Sequence, residues 1–455
     1  MSSLPPTLVE MSQLLARREV SAREMVEASL RRIDETAELH AFLTMCAERA
    51  ISEANRMDND SKVFEGAALR GVPIAVKDLH ETEGVRTTYG SLRYFDHVPD
   101  SDCAVVARLR AAGAIVLGKT NTPAFGLISE TKNRLGPPCS NPYDPALTSG
   151  GSSGGSAVAV AVGAVPLATG SDSAGSINVP SAFCGVFGFK PSLGLVPNVP
   201  ASTSLLPFNS SGPITRSVDD AALTMDVLAG YDSRDPMSRS FECDSFCESL
   251  RSSLATGMRI AYSSDLGQFR VDAEIAAAVE KAAASLASSG CVVTNDHPRL
   301  DDPMGLYVRL YVPDARQAGF DDPVSWEELY PEALAELRDA PSRSAEEYAK
   351  DWNTWWGLRA TMREFFTRYQ ILIVPTTATT AFAHDVMPEE IDGTPVEPVW
   401  TTWMPFTPIF NMTGQPCASV PVGFSSKGLP IGVLVVGAVG ADALVLRVAR
   451  ELLGA

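Results

Sequence analysis

The sequence predicts an α/β protein, an α/β/α sandwich around a large mixed, mostly parallel sheet. Three observations support this prediction. Residues 71–77 form an apolar run of strand length, residues 102–112 fit a helix that Gly113 ends, and residues 114–117 form a second apolar run. Short apolar runs that alternate with helix-length segments are typical of strands covered by helices.

The other elements follow in order along the chain. Ser21 and Glu24 form a capping box at the start of an N-terminal helix, and residues 46–57 fit a second helix. After the central region, residues 213–215 are expected to form a turn and residues 217–230 a capped helix. The remaining candidates are strands at 258–262 and 371–374, with a helix at 272–289 between them.

Composition excludes several classes of function. Hydrophobic residues make up 45% of the 455, and the net charge is −18. Without a basic cluster, this charge argues against direct binding of nucleic acid or of an anionic membrane. The first residues lack the pattern of a signal peptide, and the eight cysteines are dispersed without CxxC pairs. We therefore expect a cytoplasmic protein with free thiols.

Two glycine- and serine-rich loops, residues 149–156 and 170–176, flank a small apolar segment. Glycine allows positive φ and close approach to a ligand, and Pro180 is compatible with a helix that begins near Ser176. Ser176 would then lie at the positive end of a helix dipole, where a developing oxyanion is stabilised. A flexible linker is the alternative, while neither the GxxxxGK[ST] nor the GxSxG pattern is present.

A serine nucleophile requires a base, and two kinds of residue could supply it. Five histidines are scattered through the chain: His40, His80, His97, His297 and His384. The other candidate is Lys77, at the end of the apolar run 71–77. A lysine at a strand end is more commonly a side chain that extends to solvent, so both options remain open on residues alone.

Taken together, the motifs resemble the amidase signature family. The resemblance rests on Lys77 after its apolar run, on the two loops with their flanking segments 141–145 and 183–191, and on 414–421 and 428–432. It covers most of the chain and is weakest between about 232 and 370. It implies one amidase domain over 1–455: helices in 1–60, a core over about 65–230, a variable substrate-covering segment over about 232–400, and a core return over 405–455.

The resemblance also implies a Ser-cisSer-Lys triad. Ser176 matches the nucleophile, Ser152 the bridging serine after a cis peptide, and Lys77 the base, with Ser153 as the neighbouring alternative to Ser152. The implied reaction is amide hydrolysis through an acyl-Ser176 intermediate, with ester hydrolysis left open, and it requires no metal or other cofactor. The backbone N–H groups expected to hold the oxyanion belong to Ser173, Ala174, Gly175 and Ser176. Asp172 matches a position that supports this loop.

Substrate preference is inferred from one position at which the sequence departs from the family pattern, and from two loops that could border the substrate. Many family members carry an arginine where this chain has Asn178, so an anchor for a substrate carboxylate is missing. Ile128 and Ser129 lie in a loop that lines the acyl pocket in relatives, and Trp403 lies in a proline-rich loop beside Trp400. The residues expected to bind the substrate are Ile128, Ser129, Asn178 and Trp403. The expected substrate is therefore an apolar or aromatic amide.

The tryptophans at 352, 355 and 356 have helical spacing and are expected to serve core or lid packing. The expected partner is a small-molecule amide, with a homodimer left open. Two other functions remain in view. One is the A subunit of a glutamine-dependent tRNA amidotransferase, and the other is a non-catalytic binding protein on the same fold.

Overall fold

The computed structural model describes residues 5–60, 62–200, 208–240, 245–317 and 341–454. Eleven strands form one sheet in the spatial order β1-β3-β2-β4-β6-β5-β12-β13-β9-β7-β8, and β10 and β11 form a small separate ribbon. In chain order the strands are β1 (Phe42–Met45), β2 (Pro73–Lys77), β3 (Ile115–Thr120), β4 (Leu167–Asp172), β5 (Phe187–Lys190), β6 (Ser210–Thr215), β7 (Arg259–Tyr262), β8 (Val292–Asn295), β9 (Ile371–Pro375), β10 (Glu390–Ile391), β11 (Thr394–Pro395), β12 (Cys417–Phe424) and β13 (Pro430–Gly437).

The α/β class and the large mixed sheet are confirmed. Parallel pairs join β3, β2 and β4 in one part of the sheet and β9, β7 and β8 in another. The strands between these two groups, from β4 to β9, pair antiparallel, as does β1 at the edge. The parallel pairing is thus confined to two groups of three strands.

Helices cover both faces of the sheet. In the described residues they are α1 (Leu8–Ala16), α2 (Ala22–Glu35), α3 (Ala47–Asn59), α4 (Ala104–Ala111), α5 (Gly154–Ala161), α6 (Asn178–Cys184), α7 (Val218–Leu228), α8 (Phe246–Ser249), α9 (Ala273–Ser288), α10 (Pro303–Gln317), α11 (Ala345–Arg368), α12 (Trp400–Trp403), α13 (Thr407–Thr413) and α14 (Asp442–Leu453). Along β13, Val433 and Val435 belong to one apolar cluster, whereas Leu434 and Val436 belong to another. Because neighbouring strand residues point to opposite faces, both faces are buried, as a sandwich requires.

Most predicted elements are found within two residues of the expected bounds. The capping box of Ser21 and Glu24 is present at the start of α2. Residues 213–215 are an exception, because the expected turn is part of β6, between β4 and β5. Proline cannot donate to a strand ladder, so Pro213 argued against a central strand. Pairing of β6 with strands on both sides overrides that local preference.

None of the helices in the described parts of the chain is long and apolar enough to cross a bilayer. Seven cysteines lie in these parts, and each of them is a free thiol.

Candidate active site

Lys77 is the last residue of β2, and its side chain is fully buried. Its Nζ lies 2.8 Å from Ser152 Oγ, 3.0 Å from Ser171 Oγ and 3.2 Å from the Ser171 carbonyl oxygen. The Lys77 side chain therefore points into the protein, where its amine contacts the Ser152 and Ser171 hydroxyls, rather than out toward solvent.

The contact of Lys77 distinguishes Ser152 from its neighbour Ser153. The Gly151–Ser152 peptide is cis, as the resemblance implies. The Ser152 carbonyl accepts a hydrogen bond from Thr122 Oγ1 at 2.9 Å, which holds the backbone beside the lysine. Ser153 instead donates its N–H to the Ser176 carbonyl at 3.1 Å and its hydroxyl to the Ser171 carbonyl at 3.4 Å. Ser153 thus links the two loops, while Ser152 contacts the amine.

Ser176 ends the second loop, two residues before α6 begins at Asn178. It is half-buried and lines the same pocket as Ser152. The preceding Gly175 has φ +128°, and a Cβ at this position would lie 2.2 Å from Thr407 Oγ1. Only glycine fits this combination of positive φ and close approach. The loop therefore needs Gly175 to present Ser176 to the pocket.

Burial changes the protonation of Lys77. Desolvation lowers its pKa from 10.5 to about 7, although the Asp172 carboxylate favours the ammonium and opposes the shift. A lysine with a pKa of about 7 is neutral in a substantial fraction of molecules at neutral pH. It can then accept a proton from a hydroxyl in contact with it.

Asp172, at the end of β4, organises the second loop. Its carboxylate accepts hydrogen bonds from the N–H groups of Gly175 at 2.6 Å and Ile177 at 2.7 Å. It also accepts one from the Asn411 side chain at 2.9 Å. The support predicted for Asp172 is therefore present in the geometry. Because the Gly175 N–H is directed at this carboxylate, Gly175 serves the loop's shape rather than offering a donor to the pocket.

The pocket beside Ser152 and Ser176 contains about 790 Å³ of empty space, part of it open to solvent. Ile128 and Ser129 line it, as the sequence predicted. Its lining residues in the described structure include no acidic or basic side chain; they are Leu79, Phe125, Gly126, Leu127, Ile128, Ser129, Ser152, Ser171, Ser173, Ala174, Ser176, Asn209, Tyr307, Tyr311, Ala315 and Trp400.

Two residues predicted to bind substrate lie elsewhere. Trp403 is completely buried and packs on Phe183 and Phe382, with ring centroids 5.6 and 5.0 Å apart. Trp400, at the other end of α12, lines the pocket instead. Asn178 is buried beneath the loop, with its N–H 3.3 Å from the Asp172 carboxylate. Both predictions as pocket residues are therefore corrected: sequence proximity to the site did not tell which side chain faces it.

Helix α10 supplies pocket residues that sequence reasoning missed. Tyr307 and Tyr311 are one helical turn apart, and their rings stack with centroids 5.5 Å apart. Tyr307 OH donates to the Ser173 carbonyl at 3.2 Å, and Tyr311 OH donates to the Leu127 carbonyl at 3.2 Å. The i, i+4 spacing of two tyrosines was the available signal. One helix thus contacts both loops that border the pocket.

The helical tryptophans behave as expected in part. Trp355 is buried and donates its indole N–H to the Met412 carbonyl at 2.6 Å, and Trp352 packs beside it. Trp356, in contrast, exposes 61% of its surface. Trp326 lies outside the described residues.

The histidine alternative is not supported at this site. His80 is buried near Lys77, but its ring nitrogens lie 2.9 Å from Thr169 Oγ1 and 3.2 Å from Ser211 Oγ. Burial lowers the pKa of His80 to about 3, so the ring stays neutral. Across the described residues, no cluster of three potential metal-binding side chains occurs.

Sequence reasoning also missed Lys119, another of the buried lysines. Lys119 on β3 donates to the His80 carbonyl, to Thr82 Oγ1 at 2.9 Å and to Thr87 Oγ1 at 2.8 Å. Its Nζ lies 3.8 Å from the buried Asp78 carboxylate. Burial lowers the pKa of Lys119 to about 8, against the attraction of Asp78. Through these contacts Lys119 connects β3 with residues 80–87, the segment that follows β2.

Comparisons with known proteins agree with this geometry. A family model described as Amidase matches residues 24–446. An acylamidase from Rhodococcus erythropolis is 34% identical over 457 aligned positions, covering 97% of this chain and 94% of that protein. The chain belongs to the amidase signature family. This membership makes it an amide-hydrolysing enzyme, as the sequence predicted.

Two further relatives are similar to this amidase over nearly their whole length. The crystal structure of a bacterial aryl acylamidase matches with a TM-score of 0.89 at 28% identity, covering 98% of this chain and 96% of that one. The A subunit of a glutamyl-tRNA(Gln) amidotransferase, from Chromohalobacter salexigens, is 32% identical, covering 98% of this amidase and 95% of that protein. Both acylamidases and amidotransferase subunits are therefore similar to it.

Proposed function

We propose that this amidase hydrolyses neutral amides with an apolar or aromatic body through an acyl-Ser176 intermediate, with Ser152 and Lys77 as the proton relay. The observation that carries the proposal is the 2.8 Å contact of Lys77 Nζ with Ser152 Oγ, beside Ser176 in a pocket that charged side chains do not line in the described structure. Burial keeps the amine neutral enough to accept a proton at about pH 7.

The relay runs from Ser176 to Lys77. Ser152 passes its proton to Lys77 Nζ and takes the proton of Ser176, whose Oγ attacks the substrate carbonyl carbon. The protonated Lys77 then returns a proton through Ser152 to the departing nitrogen, which leaves as an amine or ammonia. Water attacks the acyl-Ser176 ester by the same relay, releasing a carboxylic acid and restoring the serine. Ester hydrolysis would use the same steps.

Backbone N–H groups of the second loop hold the oxyanion in this proposal. The Gly175 N–H is directed at Asp172, which leaves the N–H groups of Ser173, Ala174 and Ser176 as the donors. The loop is braced from outside, because Tyr307 OH holds the Ser173 carbonyl and Thr407 Oγ1 holds the Ala174 carbonyl at 2.6 Å. Rigid donors of this kind are worth roughly 3–4 kcal/mol each in the transition state.

The substrate class follows from the pocket walls. Phe125, Ile128, Tyr307 and Trp400 offer aromatic and apolar surface, with Trp400 edge-on to Tyr307 at 5.6 Å between centroids. Such walls favour aryl and alkyl groups, and the described lining gives a substrate carboxylate no cation to pair with. The names of the acylamidase relatives fit this preference.

Hydrolysis of glutamine for a tRNA amidotransferase is the second candidate, since such subunits are among the relatives. It is less well supported, because free glutamine carries an α-carboxylate and an ammonium that the described pocket lining does not neutralise. A non-catalytic binding protein is disfavoured by the intact contact of Lys77 with Ser152. A cytoplasmic location and a homodimer remain predictions.

Two assays test the proposal. A fluorophosphonate probe should label the wild type and leave Ser176→Ala unlabelled, whereas Ser173→Ala, which removes a different hydroxyl from the same pocket, should still be labelled. Release of amine or ammonia should then be compared for aryl amides, alkyl amides, dicarboxylic acid monoamides and glutamine. Turnover of glutamine or of the monoamides faster than of aryl amides would overturn the substrate class. Labelling that persists in Ser176→Ala would overturn the nucleophile.

A further inference from the structure

A second groove, separate from the Ser176 pocket, runs along the exposed face of α11. It contains about 1290 Å³ of empty space, part of it open to solvent, and shares no described lining residue with the pocket. Three arginines line it, Arg239, Arg359 and Arg363, together with Trp356. The groove concentrates positive charge on a chain whose net charge is −18.

The arginines of the groove lack acidic partners among the described residues. No aspartate or glutamate lines the groove there, and the described ion pairs do not include these three side chains. Arg359 is half-buried, with its guanidinium carbon 4.9 Å from the Trp355 ring centroid and 5.9 Å from that of Trp356. Burial and the like charge of Arg239 lower the pKa of Arg359. Positive charge is therefore held together without compensation, an arrangement that an anion would relieve.

The rest of the lining indicates what kind of anion fits. Trp356, Phe366 and Val439 contribute apolar surface, and Trp356 is 61% exposed. Gln415 is only 3% exposed and lines the groove, yet its buried side-chain oxygen has no hydrogen-bond partner in the described structure. An amide oxygen only accepts hydrogen bonds, so this atom can pair with a donor on a ligand or with water, and the anionic group itself is left to the arginines.

We propose that this groove binds a small organic carboxylate with an apolar or aromatic body, paired with Arg359 and Arg363 and packed against Trp356. Guanidinium groups pair with carboxylates through two parallel hydrogen bonds, and they also stack on aromatic rings. Carboxylic acids released by the proposed amide hydrolysis belong to this class, but binding at the groove does not depend on turnover.

Isothermal titration calorimetry on the full chain tests the proposal, with benzoate as the probe. The wild type should bind benzoate more tightly than benzyl alcohol, which lacks the charge, and more tightly than inorganic phosphate, which lacks the apolar body. Arg359→Gln/Arg363→Gln should weaken benzoate binding at least about tenfold. Arg251→Gln is the matched control, because Arg251 is a highly exposed arginine outside the groove, and it should leave the affinity unchanged.

Three results would overturn the proposal: no benzoate binding by the wild type, equal binding of benzyl alcohol or phosphate, or unchanged affinity in the double variant. Thermal melting establishes that each variant folds. If the double variant does not fold, the single variant Arg363→Gln, at an exposed position, replaces it, with the same expected direction and the same refuting result. Each readout is independent of amide hydrolysis, so failure here and failure of the proposed function are distinguishable.

Discussion

The pH dependence of turnover is the most direct test of Lys77 as the base. Only the neutral amine can accept the proton, and the pKa of Lys77 in the folded protein is about 7. Below this value, each unit of pH lowers the neutral fraction tenfold. We therefore expect kcat/KM to rise with pH along a limb of unit slope and to level off above about pH 8.

The size of the effect follows from the same pKa of about 7. At about pH 5 only about 1% of Lys77 would be neutral, so kcat/KM should fall about 100-fold from its plateau. The assay uses an aryl amide with no group that titrates between about pH 5 and 9, because kcat/KM then reports the free enzyme. A rate that stays constant between about pH 5 and 7, or a Lys77→Met variant with full activity at about pH 7, would refute the assignment.

Stability gives an independent measure of the Lys77 pKa. In the unfolded chain Lys77 keeps its proton up to about 10.5, whereas in the folded protein it loses the proton above about 7. The unfolded state binds more protons between these values, so the Lys77 contribution to the free energy of unfolding rises with pH across this window. Relative to Lys77→Met, the wild type should gain about 1.4 kcal/mol per pH unit there. Parallel curves for the two proteins would contradict the lowered pKa.

Three further predictions concern residues around the base and the loop. Asp172→Asn should lower kcat/KM about 10²–10³-fold and cost about 1–3 kcal/mol in urea unfolding, because the amide cannot accept from both the Gly175 and the Ile177 N–H groups; wild-type kinetics would rule out its role in the loop. Tyr307→Phe should lower kcat up to about tenfold with little change in KM, because it frees the Ser173 carbonyl; a change in KM alone would instead mean that the hydroxyl contacts substrate. Lys119→Met should cost about 3–5 kcal/mol at about pH 7, since it leaves the Asp78 carboxylate buried without its cation; an added Asp78→Asn should recover part of that loss, and no recovery would argue against the pair.

Much of the fold could be predicted because local signals and the final structure agree. Ser21 and Glu24 cap α2, Ser217 caps α7, and Asp272 caps α9 where the sequence places them. Strand order could not be predicted in this way, because it depends on contacts between distant segments. The antiparallel middle of the sheet and the inclusion of Pro213 in β6 arise from such contacts.

In the candidate site, too, the residues with local sequence signals could be predicted, and those placed by long-range packing could not. Lys77, Ser152 and Ser176 carry motif signals of their own, and the fold brings the first two within 2.8 Å. The pocket walls come from side chains whose direction depends on packing. Trp400 and Trp403 are three residues apart on one short helix, yet only Trp400 reaches the pocket, because Trp403 is taken up by Phe183 and Phe382. Because both residues are tryptophans in the same segment, the sequence did not show which of them faces the pocket.

Lys77 and Lys119, two of the four buried lysines in the described residues, show why geometry is needed to choose a base. Lys77 and Lys119 each follow an apolar strand, so the sequence signal for them is the same. Lys119 faces a carboxylate 3.8 Å away, which favours its ammonium form, and its pKa is about 8.

Both amines contact hydroxyl and carbonyl oxygens, but one of the hydroxyls at Lys77 is that of Ser152, and the pKa of Lys77 is about 7. A proton acceptor must be neutral and in contact with the hydroxyl that it serves. Of these two lysines, Lys77 is the one whose Nζ contacts Ser152, and it is also the one held closer to neutrality. The geometry therefore favours Lys77 over Lys119 as the proposed base, because Lys77 contacts Ser152 whereas Lys119 has the Asp78 carboxylate 3.8 Å away.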